Sequence, residues 1–314
     1  MVIVNYRTTQ LVQECVRSLW RLRPASIDLE VTIVDNFSAD GSVERLRGFL
    51  RRECGPWRVH VVAYARNGGF AAGNNVALAA LLDAGTRKPD PAFVWLLNPD
   101  TVVQGDDIES IMELFARQPR AGIVGNRIRG EDGCVQRSAF RRHTWQSEIE
   151  SALCMRPVTS LLARYVVAPA PPRDPVKVDW VSGASMFIRF DTLRRVGLLD
   201  EGYFLYFEET DYCLAVSGAG YEVWYAPAFD VEHLEGASSG IRAGAAKRRP
   251  PYWFASRARF FRKNYSAAYL HAANFAWLLS YPWGQLWLRL RRRRPAAPPR
   301  LWWDFIANNY FRAP

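Results

Sequence analysis

"FVWLLNPDTVV", residues 93–103, decides the fold. Five apolar residues, Phe93 to Leu97, run without alternation into Asn98, Pro99 and Asp100, and two valines follow at 102 and 103. An apolar run of strand length without alternation is the pattern of a strand covered on both faces, as in a parallel sheet flanked by helices. Asn, Pro and Asp are ordinary turn residues, so a plain chain turn explains the end of the run as well as a functional carboxylate does. The flanking segments have to decide.

Working outward, strands alternate with helical patterns. "VIVNY" (2–6) precedes a stretch whose Leu11, Cys15, Val16 and Leu19 share one helical face. "LEVTIVD" (29–35) precedes a helix from about Ser42, "VHVVAY" (59–64) precedes "NNVALAALLDAG" (74–85), and "AFVWLL" precedes a helix near 106–117; "AGIVGN" (121–126) follows. This order predicts an α/β fold with a mostly parallel sheet and helices on both faces. Beyond 126 the alternation stops. "GEDG" (130–133) reads as a hairpin turn, Thr144 to Pro175 as an irregular insert, and "VDWVSGASMFIR" (178–189) as a strand broken by a small-residue turn at Ser182, Gly183 and Ala184.

Composition bounds the class. With 314 residues, 49% of them hydrophobic, the chain buries a large core. Five cysteines, at 15, 54, 134, 154 and 213, are odd in number and lack a C-x-x-C pair, which argues against a disulfide framework and a zinc site and for a reducing cytosol. No basic region precedes the first apolar segment, so a secretory signal is not expected. The net charge of +10 is unevenly placed: residues 241–314 hold 15 basic residues and one acid, Asp304, while 26 basic and 30 acidic residues precede them. Such asymmetry points to a polyanionic surface as the partner of the tail, either nucleic acid or an anionic membrane.

Ligands of parallel α/β sheets sit at the carboxyl ends of the strands. Here those ends carry Asn5 and Tyr6, then Asp35, Asn36 and Ser38, then "RNGGFAAGNN" (66–75), then Asn98 and Asp100. Asp35 alone is equally a turn opener, and the Gly-rich loop alone is equally a tight connection; four successive strand ends with Asn or Asp are harder to set aside. The loop contains neither G-x-x-x-x-G-K-[ST] nor G-x-G-x-x-G, which excludes a P-loop and a dinucleotide fingerprint. Further on, Glu208, Glu209 and Asp211 follow the aromatic run Tyr203, Phe204, Tyr206 and Phe207 and open a helix ending at Gly218 or Gly220. Acids at a helix start also favour the helix dipole. The functional alternative is a general base whose proton affinity is raised by apolar neighbours and by the other acids.

Taken in order, "VIVNY", "VTIVDNFSADGS", "RNGGFAAGNN", "LLNPDTVV", "VDWVSGASMFIR", "LDEGYFLYFEETDYCLAVSGAGY" and a late His233 resemble family 2 glycosyltransferases of the GT-A fold, in the subgroup similar to bacterial rhamnosyltransferases of cell-wall and O-antigen assembly. The resemblance covers roughly residues 2–265. It implies a nucleotide-binding half (1–126) and an acceptor and catalytic half (127–240) of one GT-A domain, followed by a basic, aromatic-rich helical extension (241–314). It implies that Asn5, Tyr6 and Asp35 hold a uracil or thymine base. Asn36, Ser38, Arg66, Asn67, Gly68, Gly69, Phe70, Gly73, Asn74 and Asn98 would line the nucleotide and sugar, and Trp180, Ser182 and Gly183 the sugar and acceptor edge, although a strand Trp is as often core. Asp100 would hold Mg²⁺ or Mn²⁺, with Asn98 standing where most relatives have the first Asp of D-x-D; His233 completes the metal site in some relatives and is equally readable as structural. The base maps to Glu209, with Glu208 and Asp211 as neighbours able to carry it.

The implied reaction is inverting, metal-dependent transfer of a sugar, as first choice rhamnose from dTDP-L-rhamnose, to a hydroxyl of a glycan or polyprenyl-diphosphate-linked acceptor. A UDP-hexose or UDP-galactofuranose is the alternative donor, and an inactive scaffold or surface-binding protein the alternative class. For the tail, "PPYWFASRARFFRKNYSAAYLHAANFAWLLSYPWGQLWLRLRRRR" carries too many polar residues for a span and reads as an interfacial helix, with Trp277, Trp283 and Trp287 at the headgroups and arginines on anionic lipid. A helix packed on the catalytic body is the other reading. The expected location is cytoplasmic, peripheral at the inner face of the plasma membrane, without nucleic acid and with a homodimer possible through the tail.

Overall fold

As a computed structural model, the protein is described over residues 1–22, 27–53, 55–83, 93–105, 107–234, 247–292 and 297–311. Cys54, the expected helix end at 84 and 85, Ala92, Asp106, residues 241–246 of the tail and Arg293 and Arg294 lie outside the described residues. Two compact units result, one of residues 1–139, 170–204 and 208–243, the other of residues 140–169, 205–207 and 244–314.

In chain order, β1 (Val2–Asn5), α1 (Thr9–Leu19), β2 (Glu30–Asp35), α2 (Ser42–Arg52), β3 (Arg58–Ala63), α3 (Gly69–Asp83), β4 (Phe93–Leu97), β5 (Thr101–Val103), α4 (Glu109–Arg117) and β6 (Ala121–Arg129) form the first run. Then come β7 (Ala139–Phe140), α5 (Trp145–Leu153), α6 (Arg156–Leu161), β8 (Val176–Val178), β9 (Trp180–Val181), β10 (Ser185–Arg189), α7 (Phe190–Val196), α8 (Glu208–Gly218) and β11 (Glu222–His233). The helices α9 (Pro251–Asn264), α10 (Ala267–Leu290) and α11 (Leu301–Ile306) complete the order.

The first unit is built on one sheet of order β3-β2-β1-β4-β10-β6-β11-β5, with β8 also on β11. β3, β2, β1 and β4 run parallel, as the alternation predicts. β10 enters antiparallel between β4 and β6. Burial of β4 explains its unalternating sequence: Val94, Trp95, Leu96 and Leu97 are at most 3% exposed, with Trp95 stacked on Phe187 at 4.6 Å. Trp95 keeps its indole N–H satisfied by donating to Ser185 Oγ at 2.9 Å, as a buried polar atom must.

Three elements depart from the sequence reading. α3 begins at Gly69, inside the Gly-rich loop, rather than at Asn74. A Cβ on Gly73 would stand 2.6 Å from Val4 Cγ1, so the missing side chain is what lets the first turns of α3 lie against β1. The insert from Thr144 is helical over α5 and α6, opened by a capping box in which Thr144 Oγ1 accepts from Ser147 N at 3.2 Å. Finally β11, the longest described strand, has no counterpart in the pattern reading; its register shifts between Ala226 and Asp230, around Pro227, as a strand does when proline removes a ladder donor. The hairpin at "GEDG" is present, with Gly133 N donating to Gly130 O at 2.9 Å.

The second unit is helical. Ser266 caps α10 by accepting from Tyr269 N at 3.0 Å. α10 lies directly on the end of α5, because a Cβ on Gly284 would fall 2.0 Å from Ala152 O. Arg257, 2% exposed, pairs with Glu148 at 2.9 Å, donates to Asn274 at 2.5 Å and lies over the rings of Phe261 and Phe305. Burial, and then the Arg257 charge, push His143 down to about 4, so this imidazole is neutral. Trp277, expected at a headgroup surface, is instead core: it is 8% exposed and stacks on Phe305 at 4.2 Å. No helix among the described residues is long and apolar enough to cross a membrane.

Candidate active site

The ends of β1 and β2 are locked together by side chains. Asn5 Nδ2 donates to Asp35 Oδ1 at 2.6 Å and to Ser38 Oγ at 3.2 Å, and Asp35 also accepts from Ser38 N at 3.1 Å and Ser38 Oγ at 2.5 Å. All three residues are buried, so Asp35 is held in one orientation by these hydrogen bonds. Asp35 lines a cavity of about 460 Å³ whose walls include Phe37, Ala63 and Tyr64. Phe37 is 51% exposed and sits at φ 60°, an uncommon conformation for a bulky residue. Sequence reasoning missed Phe37 and Tyr64; an aromatic directly after the Asp-Asn pair was the available signal. Tyr6 is 36% exposed beneath the Arg7 guanidinium.

Asn36 organises the glycine loop. Its Nδ2 donates to Asn67 Oδ1 at 3.1 Å and to Gly69 O at 3.0 Å, while its Oδ1 accepts from Gly68 N at 3.3 Å. Gly69 has φ 84°, and a Cβ there would stand 1.8 Å from Phe204 O, to which Phe70 N donates at 3.0 Å. Asn74 Nδ2 is turned back to Phe70 O at 3.0 Å within α3. Arg66 is at the surface, paired with Glu201 at 3.3 Å. Asn75 holds Leu199 through both its amide and its carbonyl and reaches Glu201 at 3.1 Å, tying α3 to the segment before Tyr203.

Asp100 and His233 meet. β5 pairs antiparallel with β11, which places His233 opposite Thr101 and its Nε2 at 3.3 Å from Asp100 Oδ1. Asn98 Nδ2 lies 3.4 Å from the same His233 nitrogen. Asp100 is buried and the His233 side chain is 15% exposed. A buried carboxylate beside an imidazole is an O and N donor set that suits a divalent cation. No group of three or more His, Cys, Asp or Glu able to hold a metal occurs among the described residues, so further ligands would have to come from a bound substrate and water.

The carboxylates of α8 lie close by along the chain of contacts. Asn98 N donates to Ala184 O at 2.9 Å, and next to it a Cβ on Gly183 would meet Glu209 Cβ at 3.4 Å and Phe70 Cζ at 3.6 Å. Gly183 thus brings Glu209, the glycine loop and the β4 end together. Ser182 Oγ accepts from Ala184 N at 3.3 Å, and Trp180, 9% exposed, belongs to the core side of this turn. Glu208 Oε2 and Glu209 Oε2 are buried without a hydrogen-bond partner among the described residues. Burial raises the proton affinity of Glu209; burial and then the Glu209 charge raise that of Glu208 well above the usual carboxylate range. Asp211 differs, since it accepts from Tyr203 OH at 3.1 Å. Tyr206 and Phe207, at φ 72° and 70°, are two consecutive left-handed residues immediately before Glu208. Such strain in bulky residues collects at functional sites.

Residues 1–166, more than half of the chain, match the sequence family described as Glycosyl transferase family 2. The chain belongs to this family. Among curated proteins this family 2 glycosyltransferase is 30% identical over 166 residues to rhamnosyltransferase WbbL of Escherichia coli (strain K12), covering 52% of the chain and 60% of WbbL. It is 28% identical over 243 residues to an N-acetylglucosaminyl-diphospho-decaprenol L-rhamnosyltransferase of Mycobacterium tuberculosis, covering 71% of each. Among solved structures, GalNAc-T7 with UDP, GalNAc and Mn²⁺ superposes with TM-score 0.56 at 14% identity, over 98% of this chain and 53% of that one. A mannosyltransferase from Pyrobaculum calidifontis with GDP-Man and Mn²⁺ also gives 0.56, at 16% identity, over 98% and 84%. These likenesses establish the GT-A type fold of the protein, and the family establishes it as a glycosyltransferase.

Proposed function

We propose that the enzyme transfers L-rhamnose from dTDP-L-rhamnose, with inversion, to a hydroxyl of a saccharide carried on a polyprenyl diphosphate. The observation that carries the mechanism is the buried Oε2 of Glu209 beside Gly183, without a hydrogen-bond partner among the described residues, in a carboxylate whose proton affinity burial has raised. An acceptor hydroxyl is a weak nucleophile, and a carboxylate tuned toward neutrality takes its proton as the oxygen attacks. The new bond forms to the anomeric carbon on the face opposite the diphosphate, the glycosidic bond to the diphosphate breaks, and the proton remains on Glu209. One displacement of this kind inverts the anomeric centre.

Asp35, oriented by Asn5 and Ser38, faces the cavity walled by Phe37 and Tyr64 and accepts from the imide N–H of a thymine or uracil. Asn36, Asn67 and the backbone of Gly68 and Gly69 shape the loop that follows the nucleotide. Asp100 and His233 would hold Mg²⁺ or Mn²⁺, which supplies positive charge to the departing diphosphate. The donor is favoured by the names of the two curated relatives, both rhamnosyltransferases; the lipid-linked acceptor is favoured by the decaprenol-linked relative. A UDP-hexose is the second reading of the donor.

The test is a panel of dTDP- and UDP-sugars scored for thermal stabilisation and turnover, with Mn²⁺ or with EDTA, on the wild type and on Asp100→Ala and His233→Ala. The expected result is one stabilising nucleotide sugar whose effect needs both metal and Asp100. Stabilisation without turnover on any acceptor would identify a sugar-binding scaffold, and no response to any nucleotide would overturn the donor site.

A further inference from the structure

α10 is apolar on both of its faces. Its buried side carries Leu270, Ala273, Trp277 and Gly284, packed on α5 and α11. The opposite side carries Phe275, Leu279, Trp283, Leu286 and Leu290, which are 62%, 56%, 64%, 46% and 73% exposed. At 100° per residue these five fall within an arc of about 80°, and they run about 22 Å along the axis. A helix lying on a protein in water shows polar residues on its outer side, so this stripe is the reverse of what solvent selects. The residues that border it are also informative. His271 and Pro282 flank it on one side, Arg289 flanks it in the last turn, and Arg291 and Arg292 follow, both exposed. No acidic residue occurs between 247 and 292, and Asp304 is the only one after 240.

We propose that this stripe docks α10 flat on an anionic lipid surface, with Phe275, Leu279, Trp283, Leu286 and Leu290 entering the interface and Arg289, Arg291 and Arg292 on the headgroups. Charge decides between this and a second copy of the chain. Two copies meeting through the stripe would bring together two segments that each hold 15 basic residues against one acid, whereas anionic headgroups neutralise them. The helix is too polar to cross, which leaves it in the plane of the surface. The docking residues differ from those the sequence singled out: Trp283 is in the stripe, Trp277 is core, and Trp287 is half-buried with Arg291 stacked on its ring at 4.5 Å.

The test uses the full chain and co-sedimentation with vesicles of phosphatidylcholine alone or mixed with phosphatidylglycerol. Binding is expected only with phosphatidylglycerol and is expected to weaken with salt. The double variant Leu279→Ser/Trp283→Ser is expected to lower the partition coefficient by about 10- to 100-fold, since both side chains leave the apolar phase. Leu161→Ser, at an apolar residue 83% exposed but outside α10, is expected to leave it unchanged. Both residues of the double variant are exposed, so its circular dichroism and its turnover of the donor on a soluble acceptor are expected to match the wild type; this separates failure of docking from failure of the transferase reading. No binding by the folded wild type, or equal binding by the double variant, overturns the proposal. A concentration-dependent dimer dissolved by the double variant, without vesicle binding, overturns it in favour of self-association.

Discussion

Glu209→Gln is the substitution that most directly examines the proposed chemistry. Glutamine keeps the length and volume of the side chain, and Glu209 Oε2 has no hydrogen-bond partner among the described residues to lose, so folding is expected to be preserved. What disappears is the ability to take a proton. A positioned general base contributes about 10²- to 10⁴-fold, which corresponds to about 3 to 5 kcal/mol of barrier. Single-turnover transfer with donor in excess isolates that step from product release, and calorimetry of nucleotide binding is expected to show an unchanged Kd. The pH profile adds a second signature. Burial raises the Glu209 pKa, so the wild-type rate is expected to climb with pH until that raised value and then level, because only the ionised form accepts a proton. The glutamine variant is expected to be flat. A variant that keeps more than about a tenth of the wild-type rate, below the smallest effect a general base produces, would refute the assignment of Glu209. Loss in Glu208→Gln instead would move the base by one residue.

Three further substitutions test the supporting structure. Gly69→Ala sets a Cβ 1.8 Å from the Phe204 carbonyl in a backbone at φ 84°, and is expected to cost about 2 to 4 kcal/mol in urea unfolding; a cost below about 0.5 kcal/mol, the level of an ordinary surface change, would show that this contact is not tight. Glu208→Gln is expected to stabilise by about 1 to 3 kcal/mol at pH 8, because it removes a carboxylate whose ionised form burial disfavours and whose Oε2 has no hydrogen-bond partner among the described residues. The folded form binds the Glu208 proton more tightly than the unfolded chain, whose value is near 4.5, so the wild type loses stability as pH rises from there; the gain from glutamine is therefore expected to vanish below pH 4.5, and a gain that persists in acid would contradict the sign. In the helical unit, Arg257→Met leaves Glu148 buried without its cation and is expected to cost about 3 to 5 kcal/mol, while Arg257→Met/Glu148→Leu restores most of it. Hydrogen exchange of the α5 and α10 amides reads this locally, and an unprotected double variant would assign the pair a role beyond charge compensation.

Much of the site was legible because local sequence carries it. Asp35, Asn36 and the glycine loop follow strands whose apolar runs announce them, and Gly69 and Gly73 are where the backbone needs them, one for its positive φ and the other for close approach to Val4. The α8 acids were legible as a cluster but not as individuals. Their separate environments come from contacts across the fold: Tyr203 takes Asp211, whereas Glu208 and Glu209 each keep a buried oxygen without a partner among the described residues. The tryptophans of α10 show the same limit, since periodicity alone does not say which side of an evenly apolar helix meets the core.

The sequence by itself determined the alternating architecture, the polar strand ends and the charge asymmetry of the tail, because strand and helix periodicity and net charge are properties of neighbouring residues. Only the tertiary structure decided that β10 runs antiparallel between β4 and β6 and that β11 returns beside β5. That second pairing brings His233 to Asp100, two residues far apart in the chain, through a ladder register that no local pattern encodes. Strand order and register are settled by burial and hydrogen bonding across the whole sheet, and the Asp100–His233 pair exists only as their consequence.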